Sequence, residues 1–318
     1  MIINFKPMKY FVIFLFWIFL SAQSLMAQQG ENVTLHTPTG NIQGTLLIPH
    51  VKGKIPVALL IPGSGPTDRN GNNPMMKNNA LKMLAEALYK NGIASLRYDK
   101  RGVGASKVPG FSESNIRFGQ YIADAKGWVD FLKQNKKFSS IVVIGHSQGS
   151  LIGMVVAQDK AVSRFVSLEG AGDPINVVLR RQLQSQPEQV KKPAFAILDS
   201  LEAGKQVKNV PAWLYTLFRP SIQPYMISWF RYHPQKEMAK LHKPVLIVQG
   251  TADIQVSLSD AGKLKKADPS AQLLIISGMN HILKDAPADR QGNIKTYNEP
   301  DLPLNKKLVT ELVKFIKE

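Results

Sequence analysis

Ile141-Val142-Val143-Ile144-Gly145-His146-Ser147-Gln148-Gly149 runs directly into Ser150-Leu151-Ile152-Gly153-Met154-Val155-Val156-Ala157. Four apolar β-branched residues read as a buried strand, and the run after Gly149 can continue as a helix. Ser147 then sits at the turn between them, in Gly-x-Ser-x-Gly. A strand that reverses at once into a helix holds its turn residue in strained backbone, and glycines on either side let strand and helix approach closely. This is the pattern of a nucleophile elbow. A serine hydroxyl is a poor nucleophile at neutral pH, so the chain must also supply an imidazole, a carboxylate to orient it, and N–H donors for an oxyanion.

Working outward, strand-like runs recur at Val57 to Ile61, Ile93 to Tyr98, Phe165 to Leu168, Val245 to Gln249 and Leu273 to Ile276. Helical spacing falls between them at Asn78 to Asn91, Phe118 to Gln134 and Ser257 to Ala267, and Asn305 to Lys317 follows the last run. This alternation predicts an α/β fold with a mostly parallel sheet flanked by helices and right-handed crossovers. Val33 to His36 and Ile42 to Ile48, around Thr37-Pro38-Thr39-Gly40, predict an N-terminal hairpin.

Asp253, in Gly250-Thr251-Ala252-Asp253, and His281, in Gly278-Met279-Asn280-His281, each follow a strand and so fall at the same sheet edge as Ser147. Ser257 is placed to cap the next helix, which leaves Asp253 free. Asp260 and Asp268 fall in or after that helix. Of the other histidines, His36 and His50 lie near the hairpin, His233 and His242 lie in an insertion, and His146 is expected to point away from the serine it precedes. The order is Ser147, Asp253, His281. Gly63-Ser64-Gly65 and Gly102-Val103-Gly104 lack the third glycine of a dinucleotide loop, and histidines at metal-ligand spacing are absent. The expectation is catalysis without metal or cofactor.

These motifs resemble the α/β-hydrolases from about Ile42 to the C-terminus. Gly-x-x-Asp-x-x-Val stands at Gly250, Asp253 and Val256, and Gly-x-x-His at Gly278 and His281. In finer detail, Pro62-Gly63-Ser64-Gly65-Pro66-Thr67-Asp68-Arg69-Asn70-Gly71-Asn72 and Tyr98-Asp99-Lys100-Arg101-Gly102-Val103-Gly104-Ala105-Ser106 resemble loops of bacterial exported esterases grouped with serine aminopeptidase-like hydrolases. Pro62 replaces the histidine of their His-Gly motif. The resemblance implies an oxyanion hole from the N–H groups of Gln148 and Ser64, and a helical cap over the nucleophile at residues 173–243. Asp68, Arg69, Asp99 and Arg101 are expected to pair with one another rather than with substrate.

The insertion carries eight aromatic residues, and its Lys and Arg outnumber its Asp and Glu eleven to five. Trp213, Leu214, Leu217, Phe218, Trp229 and Phe230 are expected to wall an apolar pocket. The charge balance favours a small-molecule ester over a peptide or amide, whose amine would call on Glu188, Asp199, Glu202 or Glu237, and a closed apolar pocket favours a short to medium acyl chain. A catalytically dead binding module has no need of all three triad residues.

Met1 to Ala27 has a basic start at Lys6 and Lys9, an apolar run from Tyr10 to Leu20 and a small-residue exit. It reads as a signal peptide, residues 1–27, leaving a hydrolase domain at 28–318 that is periplasmic or extracellular, with no membrane anchor after cleavage. No cysteine occurs, which excludes thiol nucleophiles, zinc–thiolate sites and disulfides. The net charge of +17 is scattered rather than gathered in a stripe, so no nucleic-acid partner is expected.

Overall fold

The computed structural model describes residues 30–107 and 110–318. The signal-peptide reading lies outside the described residues. Eight strands form one sheet: β1 (Glu31–Thr37), β2 (Gly40–Leu47), β3 (Ile55–Ile61), β4 (Ala94–Tyr98), β5 (Phe138–His146), β6 (Val162–Leu168), β7 (Val245–Gly250) and β8 (Gln272–Ile276). Their spatial order is β1-β2-β4-β3-β5-β6-β7-β8. The first two pairings, β1 with β2 and β2 with β4, are antiparallel, and all the others are parallel.

Strand periodicity divides the core into two layers. Val57, Leu59, Ile61, Val143, Phe165 and Ile247 face one side, while Ala58, Leu60, Val142, Val166 and Leu246 face the other. The first side is covered by α2 (Phe118–Lys133), α3 (Gln148–Val156) and α9 (Leu258–Ala267). The second is covered by α1 (Ala80–Lys90) and α11 (Lys306–Lys317), through Leu84, Leu88, Leu308, Leu312 and Phe315. Side chains on these helices recur at three- and four-residue spacing, so each helix turns one apolar stripe to the sheet. Ser257 caps α9, as the sequence suggests, and Asp260 completes a capping box with it.

Between β6 and β7 the chain forms α4 (Ile175–Leu183), α5 (Glu188–Glu202), α6 (Tyr215–Phe218), α7 (Gln223–Trp229) and α8 (Pro234–Met238). Its buried residues Leu198, Leu201, Phe218, Tyr225 and Met238 join the core on the α2 and α3 side. A short helix α10 (Arg290–Lys295) precedes α11. No described helix is long and apolar enough to cross a membrane.

Candidate active site

Parallel strands bring their carboxyl ends to one edge, and every candidate residue follows such an end. Ser147 joins β5 to α3 with φ 53° and ψ −118°, a backbone conformation that a residue bearing a Cβ rarely adopts. Its N–H donates to Leu168 O at 2.8 Å, which ties the turn to β6. The two flanking glycines are required by contact distance. A Cβ at Gly145 would lie 2.2 Å from Gly149 O, and one at Gly149 would lie 2.2 Å from Ile61 O. Helix and strand can therefore meet only if both positions lack a side chain.

His281 and Asp253 come together from the loops after β8 and β7. The His281 Nδ1–H donates to Asp253 Oδ2 at 2.7 Å, and both side chains are almost wholly buried. The Asp253 Oδ1 accepts from the N–H groups of Gln255 at 2.7 Å and Val256 at 3.0 Å. Burial pushes this carboxyl up, but His281 and the surrounding donors outweigh burial and hold it well below the usual carboxylate range. Asp253 is thus a carboxylate fixed from both oxygens, and it leaves the His281 Nε2 as the ring's acceptor. Ser147 and His281 line one small hollow with Gly63, Ser64, His146 and Leu283.

Two neighbours depart from the sequence reading. His146, expected to point away, packs its ring 5.0 Å from that of His281 and lines the same hollow. Its Nε2–H donates to His281 O at 2.7 Å, so it holds the backbone of the second histidine. Burial, then the nearby His281, lowers it to about 4, which keeps it neutral. The second is Glu169, which matches no catalytic motif in the sequence. It directly follows β6, is fully buried, and lies at φ 50°. One donor atom each from Glu169, Asp253 and His281 all lie within 4.8 Å of one another. Within this group His281 bonds to Asp253, and the Gln249 side-chain amide bridges Glu169 and Asp253.

The glycine-rich loop after β3 brings Ser64 beside Ser147 in both the hollow and the larger cleft next to it. Gln148 opens α3, so its N–H has no partner within the helix. Its side-chain amide donates to the Tyr225 hydroxyl at 2.6 Å, which links the residue after Ser147 to α7. Below the loop, the buried Lys100 donates from Nζ to Gly63 O at 2.6 Å. Arg69 pairs with Asp99 at 2.8 Å, as expected, and Asp68 ties its own loop through the N–H groups of Asn70 and Asn72. Arg101 instead reaches Asp124 at 2.5 Å, because α2 presents that buried carboxylate and the Asp99 oxygens are already taken by Arg69 and Ala105.

Burial lowers the Lys100 ammonium to about 7. The unfolded chain therefore binds the extra proton between about pH 7 and the ordinary lysine value. The stabilisation this gives the folded state is complete above that value and is lost as pH falls towards 7. Replacing Lys100 by Met should flatten this slope: between pH 7 and 9 the wild type should gain on the order of 2 kcal/mol more than Lys100→Met in denaturant unfolding. Equal slopes would show that the amine stays charged in the fold.

A cleft of about 580 Å³ opens from Ser147 and Gln148 under the helices between β6 and β7. Leu151, Val178, Leu179, Leu217, Met226 and Trp229 give it apolar walls. Of the six residues expected to wall the pocket, only Leu217 and Trp229 do so. Leu214, Phe218 and Phe230 are buried in the core, and Trp213 is 67% exposed. The insertion's acidic residues also pair away from the cleft: Asp199 and Glu202 with Arg180, Glu188 with Lys191, and Glu237 with Lys240. A second cavity, of about 540 Å³, lies at the amino ends of β7 and β8, on the opposite edge of the sheet from Ser147.

Residues 77–169, from the approach to α1 through the elbow to Glu169, match the family model described as serine aminopeptidase, S33. Esterase EstD of Thermotoga maritima is 27% identical over 246 residues, covering 76% of this chain and 58% of that protein. The chain thus spans little more than half the length of that relative. Est1E from Butyrivibrio proteoclasticus, solved with ferulic acid bound, superimposes with a TM-score of 0.61 at 19% identity, covering 90% of this chain and all of that one. The Pyrococcus furiosus esterase Pf2001 superimposes with a TM-score of 0.56 at 17% identity, covering 90% and 91%. With a mostly parallel eight-stranded sheet and the elbow at the end of β5, the chain has the α/β-hydrolase fold, and it is similar to serine aminopeptidase-like hydrolases and esterases.

Proposed function

We propose that the protein is a serine hydrolase that cleaves carboxylic esters of short to medium acyl chain through an acyl-enzyme on Ser147. The observation that carries this reading is the meeting of three strand-end residues: Ser147 on a strained turn, and His281 in the same hollow, its Nδ1–H held by the Asp253 carboxylate. In the first step Ser147 Oγ attacks the ester carbonyl carbon while its proton passes to His281 Nε2. The N–H groups of Gln148 and Ser64 receive the oxyanion, and the imidazolium then gives its proton to the departing alcohol. A water molecule, deprotonated by the same nitrogen, releases the acyl group and restores Ser147.

Peptide or amide cleavage would use the same steps but must also hold an amine. The four acidic residues considered for that task are paired elsewhere, and Asp173, the carboxylate on the cleft wall, is taken by Arg181 and Lys263. This favours esters. Labelling with a fluorophosphonate, followed by a panel of aryl esters of increasing acyl length beside aminoacyl anilides, tests the reading. Because a structural neighbour holds ferulic acid, the panel should include hydroxycinnamoyl esters. Absence of label on Ser147, or turnover of the anilides alone, would overturn it.

Acyl selection should follow the cleft walls. Each methylene that fits contributes up to about 0.8 kcal/mol, and a chain that outgrows the space is rejected. Trp229 lines the cleft and stacks on Phe118, with centroids 5.6 Å apart and planes at 2°. Trp229→Ala should shift the optimum to longer chains. Trp213→Ala should leave the optimum in place, since Trp213 is mostly in solvent. An acyl-length profile that moves with Trp213 and not with Trp229 would show that another surface selects the substrate.

A further inference from the structure

Resting on the triad reading above, we propose that Glu169 is a positioning residue, whose carboxyl group hydrogen-bonds Asp253 from behind and fixes the carboxylate that orients His281. Three features of the fold point to it. Glu169 is fully buried at the end of β6, so its side chain has no access to water. Its backbone is held at φ 50°, and its N–H donates to Val248 O at 3.0 Å. A non-glycine residue in this region is strained, and such strain persists where the surroundings over-determine it. Here the strained position swings the carboxyl group across to β7. Its Oε1 accepts from Gly250 N–H at 2.9 Å, and its Oε2 accepts from the Gln249 side-chain amide.

The charge state follows from the partners. Neither group that bonds Glu169 is cationic: they are the Gly250 N–H and the Gln249 amide, and the carboxylate of Asp253 lies within 4.8 Å. The titratable groups around it are Asp253, His281 and Tyr297. Two carboxyl groups this close cannot both ionise in a buried site, so the pair keeps one proton. Asp253 has the better claim to the charge, since it faces the His281 Nδ1–H and the N–H groups of Gln255 and Val256. Burial, and after it the bond and charge of Asp253, push Glu169 well above the usual carboxylate range. Glu169 therefore carries the proton and donates it towards Asp253. The Gln249 amide, 3.2 Å from Asp253 Oδ2, braces the same oxygen. The site then contains a four-membered line from Glu169 through Asp253 and His281 to Ser147.

Infrared difference spectra of the full-length protein at neutral pH, wild type minus Glu169→Gln, read the proton directly. The carbonyl stretch of an undissociated carboxylic acid should be present in the wild type and absent from the variant. A difference spectrum without that band overturns the proposal. Kinetics on an aryl ester read the positioning. Glu169→Leu removes a hydrogen bond to a charged group and should lower kcat by about tenfold to a hundredfold. KM should stay within about twofold, because no substrate contact is lost. Glu169→Gln still offers a donor and should lose less. A folded Glu169→Leu protein with wild-type kcat, or a loss confined to KM, would refute positioning. If Glu169→Leu does not fold, the infrared band and the kcat of Glu169→Gln decide alone. Failure of the triad reading looks different: Ser147 would resist fluorophosphonate while the acid band remained.

Discussion

Ser147→Ala should abolish ester turnover, with kcat falling on the order of 10⁴-fold or more and residual activity from the oxyanion donors and binding alone. The fold should survive, because the substitution removes one oxygen from a turn and keeps the Cβ that already sits at φ 53°. Ser147→Gly sharpens the test. Glycine adopts positive φ freely, so it should relieve the strain and raise stability by about 1 kcal/mol over Ser147→Ala while remaining equally inactive. A protein stabilised by losing its nucleophile would be one in which strain is retained for function. Near wild-type hydrolysis by a correctly folded Ser147→Ala protein would remove Ser147 from the mechanism.

Much of this geometry is legible in the sequence. The apolar run Ile141 to Ile144 is covered on both faces, and the glycines at 145 and 149 stand where no side chain fits, so a local pattern encodes both strand and turn. Asp253 and His281 are found by one rule: a titratable residue just after a parallel strand lies at the ligand edge of the sheet. Applied evenly, the same rule marks Glu169, which stands immediately after Leu168. It is passed over because Ser-Leu-Glu-Gly matches no catalytic motif, and its significance depends on its distance from Asp253.

His146 departs from its expected orientation for a related reason. Alternation along a strand turns neighbours to opposite faces, but the chain leaves regular strand geometry at the elbow, and the reversal at Ser147 puts both residues around one hollow. The insertion is the least legible part. Its aromatic residues are of one chemical kind, and nothing local distinguishes Phe218, buried in the core, from Trp229 on the cleft wall or Trp213 in solvent. Only the packing of α4 to α8 onto α2 and α3 sorts them. The charged loops show the same limit, since Arg101 finds its partner on a helix 23 residues away rather than in the adjacent loop.

Removing the base should be about as damaging as removing the nucleophile, and altering the acid should expose how the imidazole is held. His281→Ala leaves Ser147 without a proton acceptor, so its kcat should fall nearly as far as that of Ser147→Ala. The double variant should be scarcely worse than either alone, because the residues act as a unit. Asp253→Asn is subtler. The Asn carbonyl oxygen can keep the two N–H groups of Gln255 and Val256 that Oδ1 now accepts. That choice turns the amide nitrogen, a donor, towards His281 Nδ1. Two donors cannot share the bond, so the ring must carry its proton on Nε2, and this tautomer cannot take the proton of Ser147. The loss in kcat should approach about 10⁴-fold, with KM little changed. Rate measurements on an aryl ester, beside circular dichroism of each variant, check both arms. A silent Asp253→Asn would mean that another group orients His281, and Glu169, within 4.8 Å of the same ring, is the residue to alter next.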